Sequence, residues 1–187
     1  MQQTCQKHAT CKYLASQNAS YSAAVIPVMY YTKNVNTWVF GSGLERGGMY
    51  KDQYSLCAGK QEPSDTINGG FCWLKCAQRE LAEEFKIDAS FNGNFDILFR
   101  GSNQKIRVFL FKRTPVFIAL LPNGTSRQPI KHQMHLACMD PNMPWSHKEM
   151  SDFEFFRLDN GSQIEGKNSP LSAFANGVRA CVNVNAL

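Results

Sequence analysis

The densest group of side chains that could do chemistry lies in the hexapeptide Arg79-Glu80-Leu81-Ala82-Glu83-Glu84. On a helix, Glu80 lies one turn before Glu83 and Glu84, so the three carboxylates share one face. Like charges within one turn repel each other, and a hard, oxygen-preferring cation such as Mg2+ or Mn2+ would remove that repulsion and act as an electrophile. The hexapeptide therefore predicts a divalent-cation site. The plainer interpretation of a Glu-rich helix is a solvated face.

A second pattern predicts the helix that must position these carboxylates. Apolar side chains recur at helical spacing on a separate face, at Leu74, Ala77, Leu81 and Phe85. A stripe of this kind is typical of a helix that packs against a core. Arg79 lies four residues before Glu83, which places the guanidinium within reach of a carboxylate.

Residues 59–87 resemble the signature of the Nudix hydrolase family, G-x5-E-x7-R-E-U-x-E-E-x-G-U, in which U is a bulky aliphatic residue. Gly59 matches the first glycine, and Asp65 stands where the family has its first glutamate. The second half is matched by Arg79, Glu80, Leu81, Glu83, Glu84 and Ile87. The preceding Leu-Cys-Ala-Gly-Lys-Gln-Glu of residues 56–62 is similar to the family's L-P-G-G-K-x-E. The resemblance implies an α/β (α+β) fold, an α/β/α sandwich with a mixed central β-sheet.

Three departures from the family pattern are visible. Asp65 is shorter than glutamate, and thirteen residues rather than seven separate it from Arg79, so about six are inserted at residues 66–71. Extra length in a loop has a small entropic cost. Lys86 replaces the glycine that normally ends the helix, so a non-glycine residue must make the exit. None of these departures removes a carboxylate of the helix.

The resemblance also implies roles for the site residues. Glu80, Glu83 and Glu84 would hold Mg2+ or Mn2+, Glu80 would serve as ligand or base, and Arg79 would orient a glutamate. Gly59 would let the backbone turn tightly beside the substrate. Lys60 would touch phosphate, with a solvated loop lysine as the alternative.

Glu149 is a further candidate. It is similar in placement to the extra metal-binding or basic glutamate of bacterial family members that clean the nucleotide pool; a solvated loop carboxylate is the alternative. Glu154 begins a predicted strand five residues later and is expected to be exposed on it.

The chain has 187 residues and a net charge of +5, and its composition is that of a globular protein. We expect a polar tail or a short helix over residues 1–20 and a single domain over residues 21–187. No apolar run is long enough to span a membrane, and the first residues do not resemble a secretion signal, which predicts a cytoplasmic protein with reduced thiols. Cys5, His8 and Cys11 are spaced like metal ligands, but three are too few, so free thiols and an exposed histidine are expected.

The remaining pattern is rich in β-strands. A hairpin is predicted over residues 22–31 and 37–41, with Pro27 indicating an edge or a bulge. Further strands are predicted over residues 54–57, 95–100, 105–112 and 115–121. Residues 125–145 are expected to be an irregular cap on the substrate side, and Ser169 is the predicted N-cap of a closing helix.

The resemblance implies hydrolysis of a diphosphate linked to another group. The substrate stays open among a nucleoside di- or triphosphate or dinucleotide, capped RNA as in mRNA decapping, and a non-nucleoside diphosphate such as an inositol derivative. The last requires a basic cluster, for which Lys105, Arg107, Lys112 and Arg113 are the candidates. The alternative to an enzyme is a catalytically silent Nudix-like module that binds nucleotide or RNA. Nothing in the sequence excludes a homodimer.

Overall fold

The computed structural model describes residues 3–33, 35–87, 96–97, 108–166 and 169–187. Its strands are β1 (Ser22–Tyr31), β2 (Thr37–Glu45), β3 (Tyr54–Ser55), β4 (Cys57–Lys60), β5 (Thr66–Ile67), β6 (Gly70–Phe71), β7 (Asp96–Ile97), β8 (Val108–Phe111), β9 (Thr114–Leu120) and β10 (Met150–Arg157). Its helices are α1 (Ala9–Ser16), α2 (Trp73–Phe85), α3 (Arg127–Met139) and α4 (Ala173–Cys181). Short 3-10 helices lie at Pro63–Asp65, Trp145–His147 and Val184–Ala186. Among the described residues, no helix combines the length and apolarity needed to cross a bilayer.

The central sheet is mixed. Its main path runs β10-β2-β1-β9-β7, and β3, β4 and β8 attach to β2, β1 and β9. Strands β1 and β9 are parallel, and the other pairs in this sheet are antiparallel. The predicted hairpin of residues 22–31 and 37–41 is present as β1 and β2.

The two faces of the sheet carry separate cores. Along β1, Ala23, Val25 and Met29 enter one cluster, which also contains the buried side chains of α2 and α3. Ala24, Ile26 and Val28 enter the other, which contains those of α4. Successive side chains of a strand point to opposite faces, so this alternation places helices on both sides. The predicted mixed α/β fold with helices packed on a central sheet is confirmed.

The interpretation of Pro27 as a sign of an edge or a bulge is wrong, because β1 lies between β2 and β9. Residues 22–25 of β1 pair with β4, and residues 28–31 pair with β2. Pro27 falls between these two antiparallel pairings. On that side of β1 neither antiparallel ladder requires a donor from Pro27, which is in register with Ala119 of β9 on the other side.

Two further predictions are wrong. Residues 125–145 are not irregular but contain α3, in which Ile130, Met134 and Ala137 form the buried side. Pro129 lies in the first turn, where its missing N–H would have no intrahelical partner. The N-cap of α4 is Ser172 rather than Ser169, since its Oγ accepts a hydrogen bond from the Ala175 N–H at 3.0 Å.

Other predictions lie partly or wholly outside the described residues. Of the strand predicted at residues 95–100, the structure describes Asp96–Ile97, and of that at residues 105–112 it describes residues 108–112. Lys105 and Arg107 lie outside the described residues.

The N-terminal segment, predicted as a polar tail or a short helix, contains α1 and packs against the first core. Cys11 and Leu14 of α1 are fully buried there. Thr4 forms a parallel bridge with Phe71, so this segment extends the small β5–β6 hairpin. That hairpin occupies the inserted residues 66–71.

Candidate active site

Helix α2 has an apolar side and an acidic side, as its sequence predicts. The carboxylates of Glu80 and Glu84 are also buried, with 5% and 3% of each residue exposed, whereas Glu83 is more accessible. All four residues of the predicted apolar stripe, Leu74, Ala77, Leu81 and Phe85, are buried. Two ionisable groups thus lie in a low-dielectric setting, where they are costly unless paired or neutralised.

Strand β4 lies against the acidic side of α2. A Cβ atom built on Gly59 would be 1.8 Å from Glu80 Oε1, so a glycine is required there for close approach. Its φ is outside the left-handed region, so Gly59 does not provide the tight turn expected from the sequence. The neighbouring Ala58 N–H donates to Glu84 Oε2 at 3.1 Å. Strand β4 therefore positions both buried carboxylates.

Arg79 connects the signature segments on both sides of the insertion. Its Nε and Nη2 donate to Asp65 Oδ1 and Oδ2 at 3.1 and 3.0 Å, and Nη1 donates to Glu83 Oε2 at 3.0 Å. Nη2 also donates to the Lys60 carbonyl at 2.9 Å and lies 2.7 Å from Glu80 Oε1. Arg79 has the geometry of a residue that positions carboxylates. Asp65 is 1% exposed and is committed to this pair.

The two lysines of the signature region have different settings. The side chain of Lys60 is exposed, and its carbonyl receives the bond from Arg79. Lys86 makes the left-handed exit of α2 with φ 56° and ψ 28°. Its Nζ donates to the His147 carbonyl at 2.8 Å and also to the Glu83 carbonyl. Lys86 therefore connects the end of α2, through a hydrogen bond, to the segment that precedes Glu149.

Two glutamates from outside α2 complete the acidic group. The side chain of Glu149 lies near that of Glu84, and its charge contributes to the raised pKa of Glu84. Glu45, at the end of β2, contributes to the negative potential at Glu84 and is itself affected by Glu149. Sequence reasoning missed Glu45. The only sign of it in the sequence is that an acidic residue stands directly before the Arg-Gly-Gly of the following loop. The register of the sheet is needed to place Glu45 near the other carboxylates.

Electrostatics at this group favour protons or cations. Burial, together with the neighbouring Glu83 and Glu149, raises the pKa of Glu80 to about 7 despite the opposing Arg79. Burial and the charges of Glu80 and Glu149 raise the pKa of Glu84 well above its ordinary value. Burial also raises the pKa of Glu149 and of Glu45. Strongly shifted carboxyls beside a cleft are typical of functional sites.

The carboxylates of Glu45, Glu84 and Glu149 border a cleft of about 290 Å³. Its wall also contains aromatic and apolar side chains, including Tyr50, Trp145, Leu56 and Phe174. Trp145 is 55% exposed, and the guanidinium of Arg46 lies 5.4 Å from the centre of its ring. The same cleft is therefore lined by acidic side chains and by an exposed aromatic ring.

The site's donor set suits a hard divalent cation. The carboxyl oxygens of Glu80, Glu84 and Glu149, with Glu45 and Glu83 nearby, are ligands that Mg2+ and Mn2+ prefer. Burial and neighbouring carboxylates raise the pKa values of Glu80, Glu84 and Glu149. A cation would offset both effects. Six of the residues singled out in the sequence are close together here: Gly59, Arg79, Glu80, Glu83, Glu84 and Glu149.

No protein-family model matches the chain, and no curated protein matches it significantly. Solved structures with a similar fold include a C. elegans Ap4A hydrolase, with 13% identity and a TM-score of 0.42 over 74% of this chain and 81% of that one. They also include the NUDIX domain of Shewanella oneidensis NrtR in complex with ADP ribose, with 10% identity and a TM-score of 0.48 over 87% and 84%. The M. smegmatis Nudix hydrolase RenU has 9% identity and a TM-score of 0.48 over 87% and 82%.

At these TM-scores the overlap is partial, and what the site does must be argued from its own residues. Those residues are Gly59 of strand β4, the Arg79–Asp65 pair, and the buried Glu80 and Glu84 of α2. The chain has a mixed α/β fold that resembles the Nudix fold.

Proposed function

We propose that this protein is a divalent-cation-dependent Nudix pyrophosphohydrolase that cleaves the phosphoanhydride of a nucleoside diphosphate linked to another group. The observation that carries the proposal is the burial of Glu80 and Glu84 against β4, beside Glu149 and an open cleft. A purely structural helix would leave a carboxylate such as that of Glu84 solvated or paired with a cation. Here Arg79 is shared among several acids, and Glu84 faces other carboxylates.

Glu80, Glu84 and Glu149 would hold Mg2+ or Mn2+, with Glu83 and Glu45 at the edge of the set. When bound, the cation supplies charge neutralisation for a polyphosphate and Lewis acidity at phosphorus. The chain's own residues do the rest. Arg79 fixes the orientation of Glu83 and Glu80, and the Ala58 N–H holds Glu84. If Glu80 is not a ligand of the cation, it is instead the candidate base that accepts a proton from water, because its pKa without metal is about 7.

The cleft favours a nucleotide over a non-nucleoside diphosphate. Trp145 and Tyr50 line the same cleft as the carboxylates and offer aromatic surfaces on which a base can stack. The basic cluster that an inositol diphosphate would require is not supported by Lys112 and Arg113. They form the turn between β8 and β9, where Arg113 donates to the Asn18 carbonyl. Capped RNA stays a candidate because the net charge of +5 favours polyanions.

The test is turnover with Mg2+ or Mn2+ on nucleoside triphosphates, dinucleoside polyphosphates, ADP-ribose, NADH, nucleotide sugars and capped RNA, with products separated by chromatography. We expect cleavage between phosphates for at least one substrate class, and its loss in Glu84→Gln. Glu165→Gln makes the same chemical change away from the cleft, at a residue paired with Arg127, and should retain activity.

The alternative is a silent binding module. Calorimetric binding of nucleotide or capped RNA by the wild type, without turnover of any substrate under either metal, would replace the enzyme proposal with that one. Equal turnover by the wild type and Glu84→Gln would show that the activity does not come from this site.

A further inference from the structure

A second group of potential metal ligands lies at the other end of α2, outside the acidic site. The Sγ atoms of Cys5, Cys11 and Cys72 and a ring nitrogen of His8 all lie within 4.8 Å of one another. The three cysteines are buried, and His8 is half-buried. The sequence shows three of these residues close together, and the fold brings the fourth from a position beyond the insertion.

Three of the distances among these four atoms match the edges of a tetrahedron around one ion, and the others are no longer than 4.8 Å. Zinc–sulfur bonds of about 2.3 Å and zinc–nitrogen bonds of about 2.0 Å give tetrahedral edges of roughly 3.8 Å between sulfurs and roughly 3.5 Å between sulfur and nitrogen. Cys11 Sγ lies 3.8 Å from Cys72 Sγ. His8 Nδ1 lies 3.5 Å from Cys72 Sγ and 3.8 Å from Cys5 Sγ.

The backbone brings these ligands together through contacts independent of their side chains. The Cys5 N–H donates to the Phe71 carbonyl at 2.8 Å, and the Phe71 N–H donates to the Gln3 carbonyl at 3.0 Å. A Cβ on Gly70 would be 2.6 Å from the carbonyl carbon of Thr4, so only glycine permits this approach. Cys72 is the N-cap of α2, and its side chain makes no capping bond there. The N-terminal segment therefore packs against the inserted residues 66–71, and Cys72 lies directly after these residues.

We propose that Cys5, His8, Cys11 and Cys72 bind one zinc ion in a closed structural site. Three thiolates and one imidazole are the soft and borderline donors that zinc selects, whereas Mg2+ and Mn2+ prefer the carboxylates at the other site. Four protein ligands leave no open position, so the ion serves to fix the structure. Binding releases the protons of the three thiols, so affinity rises with pH.

The zinc ion would cross-link three parts of the chain. It would join the N-terminal segment before α1, the first turn of α1, and the junction between the inserted hairpin and α2. The same hairpin follows Asp65, the buried partner of Arg79. The site would thus stabilise the insertion that separates the two halves of the signature.

The first test is the metal content of the full chain, purified with zinc in the medium and then passed over a desalting column. We expect one zinc ion per chain in the wild type, and its loss in Cys5→Ser and Cys11→Ser. Cys181→Ser is the matched control, because Cys181 is exposed and outside the group, and it should keep the zinc. Glu84→Gln should also keep it, which separates this site from the acidic one. Wild type without zinc, or zinc retained by both ligand variants, would overturn the proposal.

A second test does not depend on the folding of the variants. Wild-type protein stripped with a chelator is titrated with Co2+ and then with Zn2+. We expect the visible bands of tetrahedral cobalt with sulfur-to-cobalt charge transfer, displaced by zinc, and a higher melting temperature with either ion. Absence of these bands under reducing conditions would refute the site. A Cys11–Cys72 disulfide found by mass spectrometry in protein purified with reductant and zinc would refute it as well.

Discussion

The carboxylate of Glu80 occupies the space that a side chain at Gly59 would need, since a Cβ there would be 1.8 Å from Glu80 Oε1 and 2.3 Å from its Cδ. The requirement for glycine at the start of the signature is thus set by a glutamate of the helix twenty-one positions later. Strand β4 and helix α2 can be close enough to share the site only when position 59 has no side chain.

Gly59→Ala should destabilise the protein by about 1–3 kcal/mol, because the added methyl forces Glu80 or β4 to move. It should also abolish the proposed turnover. Urea unfolding measures the first effect. Gly47→Ala is the matched control, since its nearest neighbour would be an ordinary 3.4 Å away. The double variant Gly59→Ala with Glu80→Ala should recover most of the lost stability. A double variant no more stable than Gly59→Ala would show that the clash is not with Glu80.

Asp65→Asn should cost roughly 1–3 kcal/mol of unfolding free energy, because the largely buried guanidinium of Arg79 loses its two-point partner but keeps Glu80 and Glu83. The exposed pair between Arg157 and Asp159 is the comparison, with oxygen-to-nitrogen distances of 3.0 and 2.7 Å. Asp159→Asn should leave the free energy of unfolding nearly unchanged, because water screens this exposed pair. Denaturant titration of both variants tests this, and similar losses in the two would contradict the structural role given to Asp65.

The metal-free protein should lose stability as pH rises, through its acidic site. The pKa of Glu80 is raised from 4.5 to about 7, so the folded state keeps its proton to higher pH than the unfolded chain. Protonated Glu80 therefore contributes fully to the free energy of unfolding below about pH 4.5. This contribution, on the order of 3 kcal/mol, is lost as pH rises towards 7. Mg2+ should reduce the loss.

The measurement is the free energy of unfolding in chelator between about pH 5 and pH 8, compared between the wild type and Glu80→Gln. The variant cannot charge at this position, so its stability should fall less. The free energy of unfolding of Glu165→Gln should depend on pH in the same way as that of the wild type. If the Glu80→Gln curve runs parallel to that of the wild type, Glu80 does not titrate in this range.

Lys86→Gly and Lys86→Ala should separate the two functions of that residue. Glycine removes the left-handed strain at φ 56° but loses the bond to the His147 carbonyl, whereas alanine loses the bond and keeps the strain. The alanine variant should therefore be less stable than the glycine variant by about 1 kcal/mol. Thermal unfolding tests the order. Alanine at least as stable as glycine would mean that the exit of α2 is not strained.

The sequence predicted the helices and strands that are specified by a local pattern of residues. Helix α2 follows from the spacing of Leu74, Ala77, Leu81 and Phe85, and the hairpin of β1 and β2 follows from two β-rich runs with a turn between them. Helix α3 was missed because prolines and polar residues hide the spacing of Ile130, Met134 and Ala137.

Positions fixed by pairing between distant segments could not be predicted. Glu45 enters the site through the register of β2, and Cys72 joins Cys5 through the bridge between Thr4 and Phe71. Glu154 was expected to be exposed, but it is 5% exposed and pairs with Arg127 and Lys131 of α3. A strand residue cannot reveal such partners when the helix that carries them is not recognised.

The parallel pairing of β1 with β9 has a consequence for how the chain folds. Ala24 lies beside Val116, so the middle of the sheet is closed by residues from opposite sides of α2 in the sequence. Contacts of such long separation require a large loop to close before they can stabilise anything, which slows folding. We expect refolding in the range of milliseconds to seconds, slower than helical proteins of similar size.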